Sequence, residues 1–389
     1  MDFAAQQALM EPLGKPPPFS RNEGEARLVV RSIGTAGAGM VRTLKHILPY
    51  PESQVAALLY QAPSELVVGL PRPVAEAMSR MLRDTGLESD VLDARESFDP
   101  GLGDHEVALV VHQVEHMGSI IQELVSVLGL DVTTARKMAC ASPAILLGRI
   151  SSATVEALRK RFAPWGAELD ASKPREALFD LFIVEGAAAT RAAVQRALRD
   201  AGVPLTEDKE HSSKALVAMG LDAPRAHAIW ERLQRTGTSL RLINRDFQRF
   251  EVVLEQARPS SALTDFLHRG AGIPPAVVPK LLERRPIVTH HNIPHAALGP
   301  CLEEFARLDC QVTARLLSFQ TFSLELTEVR DMAATLLTLR VVADLDDARA
   351  RSLLQALPAR IEGPFTPLHA RWLQYELKRI GTTARLVLR

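Results

Sequence analysis

The sequence predicts an α+β protein of five tandem βααβαβ domains, each a three-stranded sheet with its helices packed on one face. Three recurrences at fixed offsets predict it: a strand-like apolar run, a proline about half-way through the unit, and a glycine before its end.

The first strand of each unit is the run ARLVVRSI from Ala26, VALVVHQV from Val107, FDLFIVEG from Phe179, FEVVLEQA from Phe250 or FSLELTEV from Phe322. Successive starts are 81, 72, 71 and 72 residues apart. The second landmark lies 36 or 37 residues after each start, at Pro63, Pro143, Ala215, Pro286 and Pro358. Proline stops a helix there because it lacks a donor N–H and disfavours helical geometry in the residue before it. The third landmark is Gly86, Gly166, Gly237, Asp309 and Gly381, each between an amphipathic stretch and a closing apolar strand. Glycine at a helix end adopts the left-handed conformation at almost no cost.

Between landmarks the apolar spacing is helical. Val155, Leu158 and Phe162 in the second unit fall at intervals of three and four, and Leu169 opens the closing strand. In the first unit Val74, Met78, Met81 and Leu82 are expected to form the inward face of the corresponding helix, before Val91 and Leu92. The resulting boundaries are a disordered tail at 1–24, then repeats at 25–93, 105–173, 174–246, 247–317 and 318–389, with a linker at 94–104. That linker, ARESFDPGLGDH with its neighbours, carries proline and glycine and is expected to be mobile. The last three repeats follow almost strand to strand through NRDFQR and LSFQT, which predicts a stiff trio.

Composition narrows the function. Hydrophobic residues at 47% and charged residues at 24% allow real cores. Lys and Arg balance Asp and Glu at a formal net charge of zero, which removes the footprint expected of a nucleic-acid binder. Cys140, Cys301 and Cys310 do not form a disulfide framework, and neither a signal peptide nor a membrane span is expected, so the expected location is the cytoplasm.

Two stretches, QAPSELVVGLPRPVAEAMSRMLRDTGLESDVLD and ASPAILLGRISSATVEALRKRFAPWGAELDASK, together with GLDVTTARKM, resemble the C-terminal domain of the ribosomal stalk protein of the L-seven/L-twelve type. The resemblance covers about 70 residues per copy and reaches repeats three to five through the internal period. It implies recruitment of translational GTPases through basic residues on the first two helices. The matching positions hold Arg42 and Lys45, with Ala56 third, in repeat one; Gln122, Val125 and Arg136 in repeat two; and Arg340 and Arg351 in repeat five. No repeat carries the full set, so fold is expected to have been kept while the binding surface changed.

Other motifs have bland readings that are preferred. Gly34, Gly37 and Gly39 could present backbone donors to an anion, but the order is GxxGxG without a P-loop lysine, and a small-residue turn is expected. His290, His291 and His295 suit zinc chemically, yet lack cysteine partners at ligand spacing, and Pro294 is expected to start a helix between them. His112 and His116 are read as a solvated face. Trp165, Trp230 and Trp372 are expected to fill cores. No catalytic, cofactor-binding or metal residue is assigned. The expected function is a non-enzymatic protein–protein interaction scaffold or adaptor gaining avidity from linked weak sites. The alternatives are a ribosome-associated or GTPase-recruiting protein, and a ligand sensor or enzyme with a site at an inter-repeat junction.

Overall fold

The computed structural model describes residues 15–185, 188–200, 202–203, 216–234 and 239–389. It contains the same unit five times, in two compact bodies, residues 1–176 and 177–389. Repeats one and two form the first body; repeats three, four and five form the second.

Repeat one runs β2 (Ala26–Ser32), α1 (Gly39–Lys45), α2 (Glu52–Tyr60), β3 (Ser64–Leu70), α3 (Arg72–Asp84) and β4 (Glu88–Asp93), preceded by a short β1 (Phe19–Ser20). Repeat two runs β5 (His105–Val111), α4 (Met117–Leu128), α5 (Val132–Ala139), β6 (Ala144–Ile150), α6 (Ser152–Phe162) and β7 (Ala167–Ser172). Repeat three shows β8 (Leu178–Glu185), α7 (Ala188–Asp200), β9 (Leu216–Asp222), α8 (Ala223–Gln234) and β10 (Ser239–Asn244). Its landmarks Ala215 and Gly237, and the place of its second helix, lie outside the described residues. Repeat four runs β11 (Arg249–Gln256), α9 (Ser261–Ala271), α10 (Val278–Leu282), β12 (Ile287–Pro294), α11 (His295–Arg307) and β13 (Gln311–Leu316). Repeat five runs β14 (Phe322–Glu328), α12 (Met332–Val341), α13 (Asp347–Gln355), β15 (Ala359–Phe365), α14 (Pro367–Arg379) and β16 (Thr383–Leu388).

In each sheet the first strand of the repeat is central, with the second and third antiparallel on either side, as in the order β6-β5-β7. Flanked by partners, the central strand is the most apolar and the most buried; all but the first residue of β5 are buried. The helices cover one sheet face. In repeat four that core gathers Val252 and Leu254 from the strand, Leu263, Leu267, Val278 and Leu282 from the first helices, and Leu298 and Phe305 from the last. The sequence landmarks fall where expected. Pro63, Pro143, Pro286 and Pro358, each after a cis peptide bond, precede the middle strands. Gly86, Gly166, Asp309 and Gly381 all have left-handed backbone at the end of the last helix. A further left-handed residue recurs near the end of the middle strand, at Gly69, Arg149, Gly220 and Asn292, where the register with the central strand slips.

Three expectations are corrected. Residues 15–24 are not a free tail: β1 pairs in parallel with β3, Arg21 N–H donates to Val68 O and Glu23 N–H to Gly69 O, and Lys15 Nζ donates to the Pro63 and Gly101 carbonyls. Residues 1–14 lie outside the described residues. The 94–104 linker is hydrogen-bonded to repeat one rather than a loose tether. Ala94 N–H bonds to Glu25 O, Gly101 N–H bonds to Pro63 O, and a Cβ at Gly103 would come within 2.6 Å of the Gln61 amide. Its glycines serve close approach rather than flexibility. The inward face of α3 is Ala75, Ser79 and Leu82, while Val74 and Met81 are 45% and 68% exposed. A polar pair inside the repeat moves the phase: Ser79 Oγ lies 3.0 Å from Ser89 Oγ on β4.

Candidate functional site

The surfaces that could carry partners are the first helix pairs. In repeat five the Asp331 carboxylate accepts from Ala334 N–H and the Asp346 carboxylate from Arg349 N–H, fixing the N-termini of α12 and α13. Thr335 and Leu339 then face inward and are fully buried. The opposite stripe of α12 puts Leu337 and Val341 in solvent at 59% and 52% exposure, four residues apart, with Met332 exposed at the helix start. Arg340 and Arg351 converge on the Asp347 carboxylate, at 3.5 and 2.6 Å, which holds two of the sequence-assigned basic residues beside the aliphatic stripe.

The other helix pairs vary this theme. Repeat one exposes Ile47 just after α1, with Arg42 exposed on the helix and Lys45 paired to Glu52 at 3.3 Å. Repeat two exposes Val132 at the start of α5, whereas Arg136 on the same helix is buried at 7% exposure and does not form part of that surface. Asp131 caps this helix, and the hydrogen bonds from Thr134 lower its pKa. Repeat four exposes Val277 before α10. Of the five basic residues assigned from sequence, Arg340 and Arg351 meet; Arg42 and Lys45 share a helix; Arg136 lies in a core.

The glycine loop of repeat one works differently from an anion cradle. Three of its donors are spent internally or on repeat two: Thr35 N–H on Gly86 O, Ala36 N–H on Ile33 O, and Ala38 N–H on Ser126 O at the end of α4. Arg161 of α6 closes the contact, donating to Ala36 O at 2.7 Å, to the Glu123 carboxylate and to Ser126 Oγ. Beside it a cleft of about 600 Å³ lies between repeats one and two, with Arg31, Thr35, Lys160 and Trp165 in its wall. Trp165 therefore lines a cleft from a short turn instead of filling a core, whereas Trp230 and Trp372 are buried as expected.

The histidine segment does not converge. Successive strand positions send His290 and His291 to opposite faces of β12. His290 packs between Phe266 and Phe305, and burial lowers its pKa. His291 approaches Glu251 at 3.8 Å, and His295 opens α11 behind Pro294. Among the described residues no group of three His, Cys, Asp or Glu side chains is placed to hold a metal. Cys140, Cys301 and Cys310 are not joined in disulfides. His112 is exposed beside Glu168, and His116 sits in a turn by Trp165.

One set of residues was missed from sequence although its signal was present. A polar residue recurs near the start of each central strand: Arg27, Glu106, Asp180, Glu251 and Ser323. All sit on the sheet face away from their own helices. Asp180 accepts from Arg245, Gln248 and the Gly220 N–H, each at 2.8 Å. Arg27 pairs with Glu65 at 2.6 Å, and Ser323 accepts from Arg360 at 2.9 Å. Glu251 lies near Arg315 at 4.0 Å, and burial raises its pKa. Glu106 is 1% exposed with one carboxyl oxygen unpartnered, and burial pushes its pKa up to about 8. Aligning the runs from Ala26, Phe179, Phe250 and Phe322 shows a polar second residue in four copies, while Glu106 of repeat two sits one place before the run from Val107.

No family model, curated protein or solved structure matches the chain. The geometry of the repeated surfaces is thus the basis for a functional reading.

Among the described residues no helix is long and apolar enough to cross a membrane.

Proposed function

We propose that this chain is a non-enzymatic scaffold or adaptor that holds protein partners on the first helix pairs of diverged, stalk-like domains. One observation carries the reading: repeats one, two, four and five each leave a large aliphatic residue exposed on or beside that pair, at Ile47, Val132, Val277 and Leu337 with Val341. Exposed aliphatics bordered by charge are the composition of a small protein-binding surface, and several weak ones on one chain add through avidity. Differences between the pairs suit different partners. The test is capture from native lysate by the full chain at low salt, compared with a Leu337→Glu, Val341→Glu variant of unchanged thermal midpoint. Partners lost selectively in the variant support the reading, and an identical set of captured proteins contradicts it.

A second reading, recruitment of a translational GTPase, is favoured by the exposed Arg42 and Ile47 and by Lys45 on the first helix of repeat one. Co-sedimentation with ribosomal particles, abolished by Arg42→Glu, is its expected result.

A further inference from the structure

The cleft between repeats one and two lies inside one compact body, and short backbone contacts fix both of its walls. On the repeat-one side Gly34 has left-handed backbone, its N–H donates to Ser32 Oγ, and a Cβ there would meet Gly86 O at 2.3 Å. This close approach sets Thr35 and Glu88, the first residue of β4, in the wall. On the repeat-two side the turn Ala163–Trp165 is closed by the Gly166 N–H on Ala163 O. Gly166 is also left-handed, and a Cβ there would come within 2.9 Å of the Gln113 amide. Trp165 is thereby held in the wall half-buried, its ring 6.3 Å from that of His116.

The ring is peculiar to this copy. Counting from the third landmark, Trp165 stands where the other repeats have Thr85, Thr236, Leu308 and Ile380. Ala153 and Ala157 of α6 line the same cleft with small apolar side chains. Of the charged side chains in the wall, four are already committed: Arg31 pairs with Asp90 at 2.8 Å, Glu156 with Arg159 at 2.6 Å, and Arg161 with Glu123. The other two, Lys160 and Glu88, form no ion pair among the described residues. They carry opposite charges and come from different repeats.

We propose that this cleft binds a small zwitterion with an aromatic side chain, of the class of an aromatic α-amino acid, with its carboxylate on Lys160, its ammonium on Glu88 and its ring against Trp165. The cleft volume of about 600 Å³ falls within the roughly 300–1,000 Å³ of small-molecule sites, which favour junctions between domains. A simple anion would answer Lys160 and bring like charge toward Glu88, and a simple cation would do the reverse. A ligand with both ends complements both walls. An aromatic ring packs on an indole in offset or edge-on geometry, which explains why a large ring is kept in a wall instead of a core. Because its two charges are held by different repeats, the bound ligand bridges them and stabilises the closed junction. This inference stands independently of the partner-holding role.

Titration of the full chain with L-phenylalanine, read by tryptophan fluorescence, tests it. Trp230 and Trp372 are buried at 8% and 5% exposure, so a change in emission on binding reports Trp165. Saturable binding is expected. Hydrocinnamate, which lacks the ammonium, and phenethylamine, which lacks the carboxylate, are each expected to bind about tenfold more weakly, the effect of one charge-assisted hydrogen bond. Lys160→Ala should weaken phenylalanine and hydrocinnamate about tenfold and leave phenethylamine unchanged. Glu88→Gln should weaken phenylalanine and phenethylamine and leave hydrocinnamate unchanged. Both side chains are exposed, so both variants are expected to keep the thermal midpoint of the parent. Absence of saturable binding at millimolar phenylalanine overturns the proposal. So does an affinity that neither variant changes, which would place the ligand elsewhere. Equal affinity for phenylalanine and either analogue overturns it as well, by reducing the site to one for a simple anion or a simple cation.

Discussion

Replacing Arg161 with alanine removes the side chain that ties repeat two to the glycine loop of repeat one. Arg161 is 9% exposed and makes three contacts: an ion pair with Glu123, itself 22% exposed, a 2.7 Å bond to Ala36 O and a 3.3 Å bond to Ser126 Oγ. Glu123 and Ser126 belong to repeat two, as Arg161 does, so of its three bonds the one to Ala36 O crosses between the repeats, and it contributes about 1 kcal/mol. The expected loss at the junction is about 1 kcal/mol, or roughly fivefold more frequent opening. Two amides report that opening directly, because each crosses between repeats: Ala38 N–H to Ser126 O and Ser151 N–H to Tyr60 O. Hydrogen exchange on the full chain should accelerate about fivefold at Ala38 and less at Ser151, which retains the neighbouring bond from Tyr60 Oη to Val127 O. Unchanged exchange at Ala38 would refute the claim that the glycine loop is a docking surface.

Three other outcomes are expected. Asp180→Ala strands Arg245 and Gln248 in a nearly dry site and should cost ~3 kcal/mol in chemical denaturation of the second body, whereas a loss under ~0.5 kcal/mol would show that the network is solvated. Glu106 is protonated more readily in the folded than in the unfolded protein, since burial raises its pKa from 4.5 to about 8. Its penalty on stability is absent below about pH 4.5, grows as pH rises and levels off above about pH 8; the stability gap between Glu106→Gln and the parent should widen by ~5 kcal/mol across that window, and a pH-independent gap would contradict this. Gly69→Ala forces a side chain into left-handed backbone and sets a Cβ 2.7 Å from Asn22 N, so it should cost ~1–2 kcal/mol and speed proteolysis between Phe19 and Gly24, with no change in the cleavage pattern as the contrary result.

The architecture was legible because backbone demands recur. Proline before the middle strand and a left-handed residue after the last helix answer to local geometry, and local geometry leaves the same residue type in each copy. Asp309 shows the rule holding without glycine, since aspartate is among the few side chains that tolerate the left-handed region. What failed depended on neighbours. Gly101 and Gly103 read as a flexible linker, but their missing Cβ atoms admit the end of α2. Val74 and Met81 read as core because helical spacing marks an apolar stripe without saying which neighbour it faces. Arg136 read as a surface cation by position alone, and the fold turned it inward. The pairing of Arg340 and Arg351 through Asp347 required the return of one helix along another, which single-helix periodicity does not encode.

The partner-holding role is tested most directly by a photo-crosslinking amino acid placed at Leu337 in cells, with the same residue at exposed Glu303 on α11 as the control. The account predicts discrete protein adducts at Leu337 that are absent from Glu303. Equal labelling at both positions, or none at Leu337, would contradict it.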